Sequence, residues 1–407
     1  MKKLLFSLVC LLTAAGQGAA QTLNDYQAAA QKGDLQAIYN VARCYENGYG
    51  CPADEKLATK WYLRAAGMGH ADAQYTLGYR YEQGKGTTRD LQQAVYWYGQ
   101  AAKQGQAAAA CNLGSCYYNG TGVEQDYRTA AAWYRRSAEA GFAAGQYNLA
   151  VCHKKGLGTE RSDAEAARWY AKAAEQGFAA AQFALGEAYE QGNGVEQDLH
   201  EAVRWYRAAA EQGHAGAQCN LGSCYDYGAG VEQDAAQAVE WYRRAAAQGL
   251  PRALCYLGIC YEQGVGTGRD EKEAVRLYLE AANRGNSQAQ CNLGLCYYRG
   301  TGVRQNYGRA VGWYEKAAAQ DNARAQYNLG VCYAYGHGVK KDYHAAAEWF
   351  RRAANQGLTD AQCNLATCYE LGWGVPRDTD QACYWYEKAA AQDDPEAVNA
   401  LKRLRGQ

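Results

Sequence analysis

The segment 73–108, AQYTLGYRYEQGKGTTRDLQQAVYWYGQAAKQGQAA, contains the aromatic pair Trp97-Tyr98. Tryptophan returns at Trp61, Trp97, Trp133, Trp169, Trp205, Trp241, Trp313, Trp349 and Trp385, always at intervals of 36 residues or a multiple, and Leu277 fills the one gap. No insertion shifts the phase from Trp61 to Trp385. An unbroken period of this length is the mark of a tandem array in which each unit buries its apolar face only against its neighbours. It replaces the two or three separate domains that a chain of 407 residues would otherwise suggest.

Within the quoted unit, Ala73, Leu77, Gly78 and Tyr81 follow the spacing of one helical face. Gly84-Lys85-Gly86 then stops that helix in a tight turn, and Asp90 is placed to cap a second one. The second helix offers Ala94, Trp97, Tyr98, Ala101 and Ala102 to the interior and ends at Gly105. Columns of these residues recur throughout: turn glycines from Gly48 to Gly372, a second glycine two residues later each time, and an alanine column from Ala58 to Ala382. Helices pack about 8–10 Å apart, as close as their contact residues allow. The alanines, and the small residues aligned with Gly78, therefore predict closely packed hairpins, with each Trp-Tyr pair filling the space between neighbours. The expectation is an all-α solenoid of about ten 36-residue helix-turn-helix units over residues 37–396. Residues 21–36 would cap it as a polar lead-in, and 397–407 as a closing helix.

Lys+Arg and Asp+Glu are both 42, which leaves no electrostatic footprint for nucleic acid. Residues 1–20, MKKLLFSLVCLLTAAGQGAA, place two lysines before a short apolar run and then small residues. This is the pattern of a secretory signal peptide, with an apolar run too short to span a bilayer. An exported chain, periplasmic or secreted and not inserted in a membrane, is expected.

AQYNLG at 325–330 followed by GHGVKKDYHAAAEWFRRAANQG resembles the Sel-one-like repeat of the tetratricopeptide superfamily, and the resemblance covers essentially the whole chain after the leader. It implies a right-handed superhelix with a concave groove, and a protein-interaction scaffold of a kind often exported by bacteria. Cysteine-rich exported members of the family have been linked to β-lactam binding or hydrolysis. Those members pair a cysteine at the end of the second helix with one at the start of the next. Here such places hold alanine, for example Ala102 and Ala109, which counts against carrying over either the disulfides or the hydrolase activity.

Sixteen cysteines in an exported chain invite disulfides, but most fall in two first-helix columns shared with Tyr, Phe or Ala in other units. Cys111 and Cys116, five apart on a helix, point roughly 140° apart. Buried packing is the reading their placement favours. Cys368 and Cys383, equidistant from a turn centre near Val375, are the candidate disulfide, and Cys44 with Cys51 a second possibility. No Cys-x-x-Cys, His-Glu-x-x-His, Ser-x-x-Lys or Gly-x-Ser-x-Gly occurs, so no metal, cofactor or catalytic residue is assigned.

The remaining first-helix face reads as the binding groove. Its candidate residues are Tyr75, Tyr79, Tyr118, Tyr147, Phe183, Tyr298 and Tyr327, beside an asparagine ladder of Asn112, Asn148, Asn220, Asn292, Asn328 and Asn364. In the related tetratricopeptide clamp, the matching asparagine bonds a bound peptide, and the resemblance implies that use here. The other reading, that the asparagines bond neighbouring turns and hold the array together, stays equally open. The expected function is recognition of a protein or peptide ligand along the groove. The alternatives are binding or hydrolysis of cell-wall fragments or β-lactams, and a redox-responsive scaffold.

Overall fold

In the computed structural model of the chain, residues 22–406 are described. The expected leader at 1–20, and Gln407, lie outside them. The described residues form 22 α-helices and no strand. A helix at Leu23–Gln31 is followed by ten helix hairpins, from Leu35–Asn47 with Glu55–Gly67 to Thr359–Leu371 with Thr379–Ala390, and then by Pro395–Arg405. They divide into two compact units, one ending at Gln176 and the other beginning at Gly177. Within each unit the extensive helix contacts join chain neighbours, the packing of an α-solenoid.

Local chemistry explains the helix ends. Asp90 Oδ1 accepts the Gln92 and Gln93 amides at 3.1 and 3.0 Å, and Gly84 ends the preceding helix in the left-handed region at φ 70°. Gly86 has φ +66°, and a Cβ there would run into the Glu55 backbone of the preceding hairpin, so this turn needs glycine twice over. The lead-in differs from the polar segment expected. Thr22 and Asp25 form a capping box, and the helix they start buries Ala30 and lays Leu23 and Tyr26 on the first hairpin.

The division of labour in the Trp-Tyr pair also differs from the expectation. The tyrosine fills its own hairpin, not the space between hairpins. Tyr98 is fully buried, and a Cβ on Gly78 would lie 2.7 Å from its ring. The tryptophan packs on a cluster shared by its own hairpin and the one before: Trp97 on the cluster of Ala58 and Tyr62 with Leu77, and Trp133 on that of Ala94 and Tyr98 with Leu113. A cation one turn on covers most of the tryptophans, as Arg136 does Trp133 at 4.8 Å and Lys316 does Trp313 at 4.0 Å.

A buried glutamine bracket sets the spacing of hairpins. Gln74 Nε2 donates to the Ala66 carbonyl of the preceding hairpin at 3.0 Å, while its Oε1 accepts Gln104 Nε2 at 2.7 Å. The same arrangement joins Gln218 to Ala210 and Gln248, and Gln290 to Ala282 and Gln320. Where the first partner is apolar, at Ala110 and Leu254, the second is Ala140 or Arg284 and not glutamine. A lone buried amide would cost about 1–3 kcal/mol, so the two change together.

Candidate interaction surface

The groove expected from the sequence is more closed than that reading had it. The Tyr75 ring lies 6.0 Å from Tyr98, Tyr147 lies 5.6 Å from Tyr170, and Tyr327 lies 5.8 Å from Phe350. Phe183 stacks on His214 at 4.6 Å. Cys111, Cys219, Cys255 and Cys291, in the same column, are buried. The column thus lies over the buried aromatic of its own hairpin. Tyr79 stays exposed; Tyr118 packs edge-on against Tyr127 at 5.2 Å; Tyr298 meets His337 Nδ1 at 2.8 Å.

The asparagine ladder joins consecutive hairpins. Asn148 Nδ2 approaches Cys111 Sγ at 3.4 Å, Asn328 approaches Cys291 at 3.8 Å, and Asn292 approaches Cys255 at 3.9 Å. Asn112 and Asn364 face Tyr75 and Tyr327 in the same register. Asn220 would meet Phe183, which has no acceptor, and instead accepts from Arg252. Each of these asparagines stays partly exposed, except the buried Asn220.

Beneath this face run phenol–carboxylate bonds within six of the hairpins, among them Tyr62 to Glu46 at 2.6 Å, Tyr98 to Glu82 and Tyr278 to Glu262 at 2.7 Å, and Tyr206 to Glu190 at 2.8 Å. Burial first, and then the facing carboxylate, push these phenols far above their ordinary pKa. In the hairpin where the acid is replaced by Ala334, the tyrosine is replaced by Phe350.

Two features escaped the sequence reading. Arg80 stands in the column otherwise held by cysteine or alanine, and it is 0 % exposed. Its guanidinium reaches Glu46 at 2.9 Å, Thr59 Oγ1 at 2.8 Å, and the carbonyl and carboxylate of Glu55 at 2.8 and 2.5 Å. Lys85 adds a second cation 3.1 Å from Glu46. The second feature is a cavity of about 140 Å³ lined by Val331, Ala334, Tyr335, Lys341, Tyr343, Ala346, Phe350, Asn364, Thr367, Cys368 and Trp373. Trp373, stacked on Tyr343 at 5.3 Å, is the one tryptophan outside the repeating column, a signal already present in the sequence.

The cysteines among the described residues do not pair. Cys368 and Cys383 are both free, against the candidate disulfide. Cys383 follows Ala382, the residue of the close-contact column, and so points elsewhere by about 100°. Thr59 and Val239, in the Cys383 column, abut the turn of the following hairpin at Gly86 and Gly266. Cys383 is therefore aimed away from its own first helix. Cys44 and Cys51 are also free, the Cys51 thiol lying 3.7 Å from the Cys44 carbonyl. Burial pushes the Cys255 and Cys291 thiols up to about 12, which makes them poor nucleophiles and poor soft-metal ligands. No cluster of three or more His, Cys, Asp or Glu side chains among the described residues is arranged to hold a metal, and none of the described helices is long and apolar enough to cross a membrane.

Stacked helix hairpins with fixed packing columns and a varied first-helix face define an α-solenoid scaffold of the tetratricopeptide-like kind, an architecture suited to protein–protein interaction. Ten consecutive segments, from 35–70 through 359–394, match the Sel1 repeat, and the chain belongs to that family. A solved protective antigen present in uropathogenic Escherichia coli strains, of SLR fold, is 36% identical over 94% of this chain and 82% of its own, with a TM-score of 0.87. A Sel1 repeat protein from Oxalobacter formigenes is 33% identical over 76% of this chain and 89% of its own, with a TM-score of 0.58. No curated protein matches the sequence.

Proposed function

We propose that the chain is an exported scaffold that holds a protein or peptide partner along the first-helix face of its hairpins. The observation that carries this is the contrast between columns. Some packing columns keep one residue type, such as the alanines from Ala58 to Ala382, while a position on the first helices that is exposed or half-buried in the early hairpins runs Arg43, Tyr79, Ser115, Val151, Glu187, Ser223 and then Ile259, Leu295, Val331, Thr367. Packing alone would not require such variety, whereas recognition of one extended ligand would. The partly exposed amides of Asn112, Asn148, Asn292, Asn328 and Asn364, with Tyr79, Tyr118 and Tyr298, supply hydrogen-bonding groups and aromatic area to that face. Export rests on the leader pattern of residues 1–20.

The test is capture of partners from periplasm and culture medium on the immobilised protein, with a Tyr79→Ala, Asn148→Ala double variant as control. Recovery of a protein by the wild type that the variant loses supports the reading. Recovery of muropeptides without protein replaces it with recognition of cell-wall fragments. Nitrocefin hydrolysis lost on mutating this face would make the chain a hydrolase instead.

A further inference from the structure

The cavity beside Trp373 lies in the hairpin that lacks both members of a recurring buried pair. In six hairpins the buried phenol meets a carboxylate at Glu46, Glu82, Glu190, Asp226, Glu262 or Glu370. In the hairpin of helices Ala323–Tyr335 and Tyr343–Asn355, Ala334 and Phe350 remove both partners and leave an apolar space of about 140 Å³. Its inner end is formed by Ala346, Phe350 and Cys368, all buried. Its mouth is formed by Tyr335 and Trp373, 70 % and 43 % exposed, large aromatic surface left open to water. An apolar cavity near ~150 Å³ takes a benzene-sized group.

The charge around it is also distinct. The turns of four earlier hairpins carry Glu124, Glu160, Glu196 and Glu232, whereas the equivalent residue in the turn of this hairpin is Lys340, with Lys341 next in sequence. Lys341 lines the cavity, lies over the Tyr343 ring at 4.6 Å, and has no ion-pair partner among the described residues. Asn364 and Thr367 add hydrogen-bonding groups at the wall.

We propose that this cavity is an anchor subsite for one bulky apolar side chain of an acidic, extended protein segment. The ring or branched chain enters between Tyr335 and Trp373, and flanking carboxylates lie toward Lys341 and Lys340. The inference rests on the scaffold reading above and specifies the chemistry of one stretch of the ligand.

Fluorescence anisotropy with labelled hexapeptides tests it on the full mature chain. Asp-Asp-Phe-Asp-Asp-Gly should bind at least about tenfold more tightly than Asp-Asp-Ala-Asp-Asp-Gly, about 1.4 kcal/mol, and added salt should weaken both. Ala334→Glu, which puts back the carboxylate found in most hairpins, should abolish the preference, and Ala334→Glu combined with Phe350→Tyr, which restores the pair, should do so with helicity and melting unchanged. Trp373→Ala, a change at the exposed mouth, should reduce the preference independently of that fold control. Equal binding of the two peptides, a preference that survives Ala334→Glu, stronger binding of Lys-Lys-Phe-Lys-Lys-Gly, or no binding at millimolar peptide would overturn the proposal. If partner capture succeeds and Ala334→Glu leaves it intact, the subsite fails and the scaffold reading stands. If capture recovers no protein, the scaffold reading fails whatever the peptides do.

Discussion

Replacing Arg80 by methionine keeps most of the side-chain volume and removes the charge. The guanidinium is fully buried and satisfies Glu46, Thr59 and two oxygens of Glu55. Its loss leaves Glu46, 23 % exposed at the side chain, with Tyr62 at 2.6 Å and Lys85 at 3.1 Å, and leaves Glu55 with Lys85 at 3.2 Å. Removing one partner of a buried ion pair costs about 3–5 kcal/mol. Because both carboxylates keep other partners, the expected cost is the lower bound, about 3 kcal/mol. The array does not unfold as one two-state body, so the loss should stay local. Amide exchange in helices Leu35–Asn47, Glu55–Gly67 and Ala71–Gln83 should accelerate roughly a hundredfold, since each 1.4 kcal/mol is a factor of ten, while helices from Leu199 onward keep their protection. Adding Glu46→Gln to Arg80→Met should recover about 1–3 kcal/mol of the loss as coupling. Unchanged exchange in the first two hairpins, or strict additivity of the two substitutions, would refute the account of Arg80 as an ionic clasp.

The same cluster gives a pH dependence. Burial alone would raise the Glu46 pKa, but the bonds from Tyr62 and Lys85 and the charges of Lys85 and Arg80 outweigh it, holding the carboxyl below its ordinary 4.5. Its stabilisation is complete above that value and disappears as pH falls through the lower folded value, so exchange in the first two hairpins should rise selectively below about pH 4.5. In the ninth hairpin, Phe350→Tyr alone should cost about 1 kcal/mol because Ala334 offers no acceptor, and pairing it with Ala334→Glu should recover that cost in urea unfolding. Gly258→Ala brings a Cβ to 2.6 Å from the Tyr278 ring and should cost about 1 kcal/mol, the low end for overpacking because Ala150 and Ala366 are accommodated in the same column; a melting point unchanged from wild type would contradict the close-contact argument. Of the fifteen free thiols among the described residues, Cys51 and Cys383 should react first with a thiol reagent under native conditions, while Cys255 and Cys291 should require unfolding.

The hairpins, their caps, their turn glycines and their number follow from sequence alone because each depends on residues within about a turn of one another or on an uninterrupted period. Asp90 caps the helix that begins at Leu91, and Gly84 ends the one that closes at Gln83, whatever lies beyond. Contacts between residues 16 or 30–37 apart were decided by tertiary structure: Tyr98 with Glu82, Gln104 with Gln74, Asn148 with Cys111. Those contacts depend on how far one helix is rotated against the next, which the period does not specify. That rotation closed the Tyr75 column over Tyr98, turned Cys383 away from Cys368, and placed Arg80 between two carboxylates. The paired changes Ala334 with Phe350 and Ala110 with Ala140 were present in the sequence throughout. They become readable only once the packed hairpin shows which buried polar group would otherwise be left without its partner.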